Sequence, residues 1–406
     1  MKNCWNTKMI GQFCITRAGG TPLKSNKDYY EGGTIPWLMS GEVNQGEISE
    51  ASYYITELGL KNSAAKIFPK NTVLVAMYGA TAGQVGILRL EAATNQAVCG
   101  ILPNKEVLPE FLYYCFLNMR ESLIRQAVGN AQPNISQEKI RNLVIPVPPL
   151  PEQKHIVTIL DEVFSTIDKA KENAEKNLNN AREFFSTYLQ GTFIKLGEEH
   201  EKKVLSSLCD IKHGYAFESK DFEDNYQGKT PIVITPGNFS ENGKLSFTEK
   251  NTKRCIGDYS RVYLFDKGDL VVVMTDLSSK MKILGRPAFI EMENILHNQR
   301  IGRFANIKPS INIRYLYYYL QTTRYLNSIK ESATGTMVKH TAPKRILSST
   351  IPLPPMGVQD AIVNKLDVAK DESEKLCLCY QQKLRSLDSF KKSILQKAFK
   401  GELTGG

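Results

Sequence analysis

One stretch of this chain is spelled twice, and the duplication limits what the chain can fold into. Ile145-Pro146-Val147-Pro148-Pro149 returns as Ile351-Pro352-Leu353-Pro354-Pro355, an offset of 206 residues. The offset holds without a gap through Gln153/Gln359, Ile156/Ile362, Leu160/Leu366, Asp161/Asp367, Phe184/Phe390, Leu189/Leu395 and Phe193/Phe399. A self-match that tolerates substitution but no insertion marks a repeated element whose length matters.

Prolines stiffen the entry to each copy, and Pro151 stands where a first-turn proline is tolerated. No Gly or Pro follows until Gly191 in the first copy, and none occurs from Val358 to Gly401 in the second. Apolar or small residues recur at Ile156, Leu160, Val163, Ile167, Ala170, Ala174, Leu178, Ala181, Phe184 or Phe185, and Tyr188. The second copy repeats them at Ile362, Leu366, Ala369, Ser373, Leu376, Tyr380, Leu384, Leu387, Phe390 and Ile394. Steps of four and three with one stutter describe a heptad seam. The spacing predicts two rods of roughly 39 residues, about 58 Å each at 1.5 Å per residue. The alternative, two unrelated long helices in one core, leaves the repeat unexplained.

At 406 residues and 42% hydrophobic, the chain has material for more than one core. No apolar run approaches the ~20 residues of a membrane span, and Met1-Lys2-Asn3-Cys4 does not open a signal peptide. The eight cysteines form no CxxC pair, which predicts idle thiols in a reducing cytoplasm and argues against a zinc site. The net charge is +10, of which the first rod carries −2 and the second +3, so +9 lies elsewhere. A basic excess confined to the segments outside the rods points to a polyanionic partner there.

Those segments form a second, looser repeat. Residues 1–143 read as a globular head with strands at 35–38, 72–77 and 97–101, followed by a helix from Pro109. The aromatics of that helix (Phe111, Tyr113, Tyr114, Phe116) suit a buried face better than base stacking. Residues 203–349 echo this head: Phe265 to Met274 answers Phe68 to Met77, Asn298-Gln299 answers Asn95-Gln96, and Leu316-Tyr317-Tyr318 answers Leu112-Tyr113-Tyr114. The offsets drift from 195 at Pro36/Pro231 to 206 at Gly129/Gly335, so the heads share a scaffold but not loop lengths. The expected architecture has α/β (α+β) heads at 1–143 and 203–349 and long spacer helices at 144–202 and 350–406. If the second rod packs on the first, the rods form an antiparallel coiled-coil pair with an internal pseudo-two-fold.

Ile-Pro-Val-Pro-Pro-Leu-Pro-Glu-Gln at 145–153, the Leu189-Gln190…Phe193 ending and Leu395-Gln396-Lys397-Ala398-Phe399-Lys400-Gly401-Glu402-Leu403-Thr404 resemble the specificity (S) subunit of type I restriction–modification systems. So do Gly19-Gly20-Thr21-Pro22, Tyr78-Gly79-Ala80-Thr81-Ala82-Gly83-Gln84-Val85-Gly86-Ile87 and Thr94-Asn95-Gln96-Ala97. The second head departs from the pattern, with Met274-Thr275-Asp276-Leu277-Ser278-Ser279 replacing the Gly-rich run and Gly357 replacing Pro151. The resemblance implies two target-recognition domains reading the halves of a split double-stranded DNA site, with the rods as spacer. It implies docking of two methyltransferase (M) subunits and, through them, restriction (R) subunits, in defence against foreign DNA. It also implies that S-adenosylmethionine, ATP and Mg belong to those partners, with no cofactor in this chain.

No catalytic constellation emerges from the residues. The Pro-Pro pairs lack the Asn/Asp and aromatic that hold a flipped adenine, and Gly237 to Gly243-Lys244-Leu245 lacks the spacing and hydroxyl of a phosphate loop. Glu201-Lys202-Lys203 lacks the Pro-Asp of a metal-dependent nuclease, and Gly79 to Gly83 reads as a tight turn.

Function must then come from contact, and long polar side chains on the drifting loops are the candidates. In head one these are Lys24, Lys27, Tyr78, Thr81, Gln84, Asn95, Gln96, Arg125, Asn130, Gln132 and Asn134. In head two they are His213, Lys220, Asn238, Thr275, Asp276, Ser278, Lys280, Lys282, Asn298, Gln299, Arg300, Lys339, His340, Lys344 and Arg345. Asn and Gln can pair bidentately with adenine and Arg with guanine, whereas Lys more often meets phosphate. A solvated surface role is the competing reading for each, and Asn95 and Asn298 could instead pin turns. Lys24, Lys27, Lys280 and Lys282 group as basic patches. Two other readings remain open here: a two-headed scaffold without DNA readout, and a fused methyltransferase or nuclease.

Overall fold

In a computed structural model, the structure describes residues 5–127, 134–224 and 229–403. The chain divides into two compact units, residues 1–175 with 381–406, and residues 176–380. Each unit therefore holds one head and stretches of both rods.

Head one carries a five-stranded sheet in the order Thr16–Ala18, Val98–Ile101, Val73–Ala76, Val85–Leu88, Gly46–Ile48. The first three pairings are antiparallel and the last is parallel. Val73–Ala76 is buried on both faces, which accounts for its unbroken apolar run. A second sheet orders Tyr54–Ile55, Ile35–Leu38, Ala92–Thr94 and Ile67–Phe68. Head two repeats the plan with Asp210–His213, Ile301–Ala305, Leu270–Val273 and Pro287–Phe289, and lacks a fifth strand in this sheet among its described residues. Backbone bonding refines the register between the heads: Trp37 N–H donates to the Tyr53 carbonyl as Val233 N–H donates to Lys253, an offset of 196 rather than 195 for this strand.

The helix of head one spans Pro109–Ala127, and Phe111, Tyr114 and Phe116 are buried, so the aromatics build core. In head two the same element is split into Ile313–Tyr319 and Thr323–Glu331, with Thr322 capping the second piece. Its residues Tyr315 to Tyr319 are all buried.

The rods are helices of 50 residues, Leu150–Glu199, and 44 residues, Met356–Phe399. The first does not stop at Gly191. Glycine inside a helix costs about 1 kcal/mol, but the extra turns bury Phe193 and Leu196 in the core of head two. Within the first unit, Lys391 Nζ lies 2.9 Å from Asp168 and Lys171 pairs with Asp388, so numbering rises on one segment as it falls on the other. Within the second unit, Ser373 Oγ donates to the Ala181 carbonyl at 2.6 Å.

Of the expected seam, Ile156, Leu160, Ile167, Leu178, Ile362 and Leu366 are buried, and Val163, Leu384 and Leu387 are half-buried. Leu376 is a correction: it is 42% exposed. The inward stripe steps by four from Ser373 to Cys377, not by three to Leu376, because the stutter falls there. Phe184, Tyr188 and Phe390 are exposed for the same reason, while Phe185, Leu189 and Leu395 turn inward.

Buried glutamines join rods to heads. Gln153 accepts from the Leu108 N–H at 2.9 Å and donates to the carbonyls of Glu106 and Pro148. Gln359 repeats this with the Asn312 N–H and the carbonyls of Ser310 and Pro354. Tyr114 donates to Asp161 and Tyr318 to Asp367, and each phenol is held protonated by burial first and then by the carboxylate. Phe399 packs edge-on against Phe111 at 5.4 Å, and Phe193 packs against Tyr315 at 5.1 Å. The rod that leaves one head thus closes on the core of the other.

Candidate nucleic-acid interface

The loops that distinguish the heads hang from one frame. After the central strand, Met77 N–H bonds the Ala97 carbonyl, and the Met77 carbonyl receives the Ile135 N–H. In head two, Met274 makes the same pair of bonds with Arg300 and Thr341. Gly83 at φ 78° returns its N–H to Ala76, as Gly285 at φ 78° does to Val273. Between methionine and glycine lie five residues in head one and ten in head two. A Cβ at Gly19 would overlap Thr94 and the Asn95 carbonyl, and one at Gly214 would overlap His297 and Asn298, so both positions need glycine for close backbone approach.

The frame consumes several candidate readers. Asn95 Oδ1 accepts from Ala97 N–H at 3.1 Å and Asn298 Oδ1 from Arg300 N–H at 3.0 Å, so both pin turns. Asn238 is buried; its Oδ1 takes the Thr235 N–H and its amide nitrogen donates to Asn251, which leaves nothing for a base edge. Glu42 performs the same backbone capping in head one. Asp276 is buried and accepts from Ser278 and Ile283 N–H groups, and buried Thr275 shares a hydrogen bond with His340 Nδ1. Ser278 caps the Lys280 N–H with its own hydroxyl. Each of these residues makes at least one side-chain bond that shapes its loop.

Other candidates are exposed or half-buried but held. Gln96 accepts from the Thr21 hydroxyl. Lys220 pairs with Glu218 at 2.8 Å, Lys27 with Glu31 at 3.8 Å, and Lys282 with Glu241 at 2.5 Å. The Lys282 bond holds the Glu241 carboxyl below its usual range. Lys339 Nζ donates to the Gly335 carbonyl, and Arg345 donates to Thr334. Arg125 reaches the Glu121 carbonyl on its own helix, and Glu121 pairs with Lys392 of the second rod, so Arg125 belongs to the head–rod junction. Lys24, Lys280 and Lys344 are exposed. Asn130 and Gln132 lie outside the described residues.

Head one gathers Tyr78, Thr81 and Asn134 at one turn: Tyr78 bridges Asn134 across the backbone, and Thr81 donates to the Tyr78 carbonyl. Gln84 closes the turn, half-buried. In head two, Asn298, Gln299 and Arg300 line a cleft of about 520 Å³ with Phe217, Phe222, Lys250 and Lys253. His213 lines a different cleft, beside His297 and Arg303. Burial lowers the His297 pKa to about 4, leaving a neutral ring against the Ile301 carbonyl.

Lys250 and Lys253 were not among the candidates. The run Glu249-Lys250-Asn251-Thr252-Lys253-Arg254 carried a cationic signal, but nothing in the sequence linked it to Arg300. Asn251 braces their turn through Thr248, Ser246 and Gly237, and Lys253 Nζ stands 5.6 Å from the Phe222 ring centre. A rigid basic turn facing exposed amide and guanidinium groups is suited to a phosphate backbone with base edges beside it. Among the described residues no three His, Cys, Asp or Glu side chains gather as metal ligands. No described helix is long and apolar enough to cross a membrane.

Known proteins share this arrangement. The model of the type I restriction modification DNA specificity domain matches residues 2–179 and again 197–376. The MjaVIII specificity subunit of Methanocaldococcus jannaschii is 24% identical over 416 residues, covering 98% of this chain and 93% of that protein. The EcoR124I/EcoR124II specificity subunit of Escherichia coli is 24% identical over 186 residues, and that match spans about half of each, 45% of this chain and 46% of the relative. A chain from a solved structure of the type I R-M system superposes with a TM-score of 0.76 at 19% identity, covering 98% of both chains, which establishes a common fold. With both halves of the chain matched by one domain model, the protein belongs to the type I restriction–modification DNA specificity family.

Proposed function

We propose that this chain is the non-catalytic specificity subunit of a type I restriction–modification complex. Each head recognises one half of an asymmetric, bipartite DNA site, and the rods, as an antiparallel coiled-coil pair, set the gap between the halves. Two methyltransferase subunits dock on the chain, restriction subunits join through them, and S-adenosylmethionine, ATP and Mg reside on those partners. The observation that carries this reading is the contrast within the repeat: one frame of backbone bonds supports two different sets of loops, while the rods keep a gapless offset of 206.

The test is co-expression with the cognate methyltransferase in a host lacking adenine methylation, followed by genome-wide mapping of modified adenines. One split motif with a constant gap is expected, and DNA binding by the complex should weaken steeply with salt. An unsplit motif, salt-independent binding or methyl transfer by this chain alone would overturn the reading. Insertion of four residues at Asn177-Leu178-Asn179-Asn180 adds about 6 Å of helix. With DNA rising about 3.4 Å per base pair, the gap should widen by one or two base pairs while the half-site letters stay the same.

A further inference from the structure

The two heads end their shared Asn-Gln turn differently. In head one, Gln96 is tied to the Thr21 hydroxyl, and the next residue is Ala97. In head two, Tyr215 N–H bonds the His297 carbonyl as Gly20 N–H bonds that of Thr94, so Ala216 stands where Thr21 stood. Alanine has no hydroxyl to hold Gln299, and the residue after it is Arg300 in place of Ala97. Neither the Gln299 amide nor the Arg300 guanidinium has a side-chain partner among the described residues, and both are exposed.

Their backbone is nonetheless fixed. The Arg300 N–H is held by Asn298 Oδ1 and its carbonyl by the Met274 N–H, while Gln299 N–H bonds the Tyr215 carbonyl. A fixed backbone carrying unpaired side chains limits the entropy lost on binding. Other cations of head two, among them Lys220, Lys282 and Arg303, have carboxylate partners. Lys250 and Lys253 line the same cleft. The matching residues of head one, by the bond that aligns Lys253 with Tyr53, are Glu50 and Tyr53. At these three matched positions the cations belong to head two alone.

We infer that Arg300 and Gln299 determine the half-site of head two, Arg300 by bidentate pairing with the major-groove edge of a guanine and Gln299 with an adjacent base, while Lys250 and Lys253 hold the phosphates beside them. This rests on the specificity reading above. Arginine fits because its planar fork is preorganised to meet both guanine acceptors at once, whereas a lysine ammonium must reach them from a flexible stem. Head one, with Ala97 and a tethered Gln96, has no equivalent reader at that turn and takes its half-site through other loops.

The test maps methylated adenines for the complex carrying Arg300→Ala, Arg300→Lys, Gln299→Ala or Lys253→Ala, with thermal melting to show that each variant folds. Arg300→Ala should relax one guanine of one half-site, cutting preference at that position by about tenfold to a hundredfold and leaving the other half-site and the gap unchanged. Arg300→Lys should restore it only in part. Lys253→Ala should lower methylation at all sites alike. An unchanged motif for folded Arg300→Ala, or a uniform loss without relaxed specificity, overturns the assignment. A wild-type complex with no split motif would instead refute the underlying function.

Discussion

At the junctions of head and rod the two halves of the chain use the same chemistry. Gln153 and Gln359 each satisfy one N–H and two carbonyls, Asp161 and Asp367 each take a tyrosine hydroxyl, and Phe399 and Phe193 each enter the opposite head's core. At the loop tips the halves diverge: Thr21 against Ala216, Ala97 against Arg300, a five-residue turn against a ten-residue one. A buried polar junction tolerates little change, because each lost partner strands a desolvated group. Solvated turns on a fixed frame lose nothing when their tips vary. Loop tips can thus drift within each head while the repeated head–rod junctions are kept.

The largest effect should come from breaking the junctions. Leu160 and Leu366 are both fully buried at matching places in the repeat. Truncating either to alanine should cost about 2–5 kcal/mol, and the two costs should agree closely. Trp5 and Trp37 both lie in head one, so tryptophan fluorescence reads Leu160→Ala, while amide exchange of residues 270–273 reads Leu366→Ala. A large cost in one half only would mean that the junctions are not equivalent.

A smaller effect should separate the heads by pH. His297 of head two occupies the place of Thr94 in head one, packed on the Phe265 ring at 4.6 Å with Arg303 and His213 nearby. Burial, reinforced by those positive neighbours, lowers its pKa from 6.5 to about 4, only partly offset by the Ile301 carbonyl. The unfolded chain therefore binds the proton more readily than the folded one. The stability this neutral ring confers is complete above about pH 6.5 and declines as pH falls toward 4. The loss should be on the order of 3 kcal/mol. Exchange in head two should accelerate over that window, and His297→Thr should flatten the response. Equal acid sensitivity before and after the substitution would assign the transition to other groups.

How far the sequence foretold this differs between the same two regions. The rods were legible because a seam of apolar residues and a gapless offset are local patterns. Gly191 reads as a helix end in sequence because much of what buries Phe193, the rings of Tyr315 and Tyr319, lies more than 120 residues on. The strands and the buried helix of head one followed from runs such as Val73 to Ala76. The loop tips were far less readable. Asn238 looks like a surface amide until Asn251 and Thr235 are seen to use it up, and whether Gln96 is tied depends on a hydroxyl 75 residues away. Exposed chemistry on a loop is decided by partners that sequence spacing does not reveal.

The smallest expected effect tests where the rod stutters. A strict continuation of the heptad from Ser373 would bury Leu376, the larger and more apolar candidate. The structure instead turns Cys377 and then Tyr380 toward the contact, with Leu376 42% exposed. The reason lies in the residues at the crossing. Ser373 donates to the Ala181 carbonyl, a contact that needs small side chains on both helices and fixes their rotation there. Rotating the second rod enough to bury Leu376 would break that bond and pull Ser373, 6% exposed, out of the contact. Leu376→Ala should therefore change stability by no more than about 0.5 kcal/mol. Leu178→Ala, at a position 8% exposed, should cost about 2 kcal/mol or more. Chemical denaturation of the two variants side by side decides it: comparable losses would place Leu376 in the seam and restore the simple heptad.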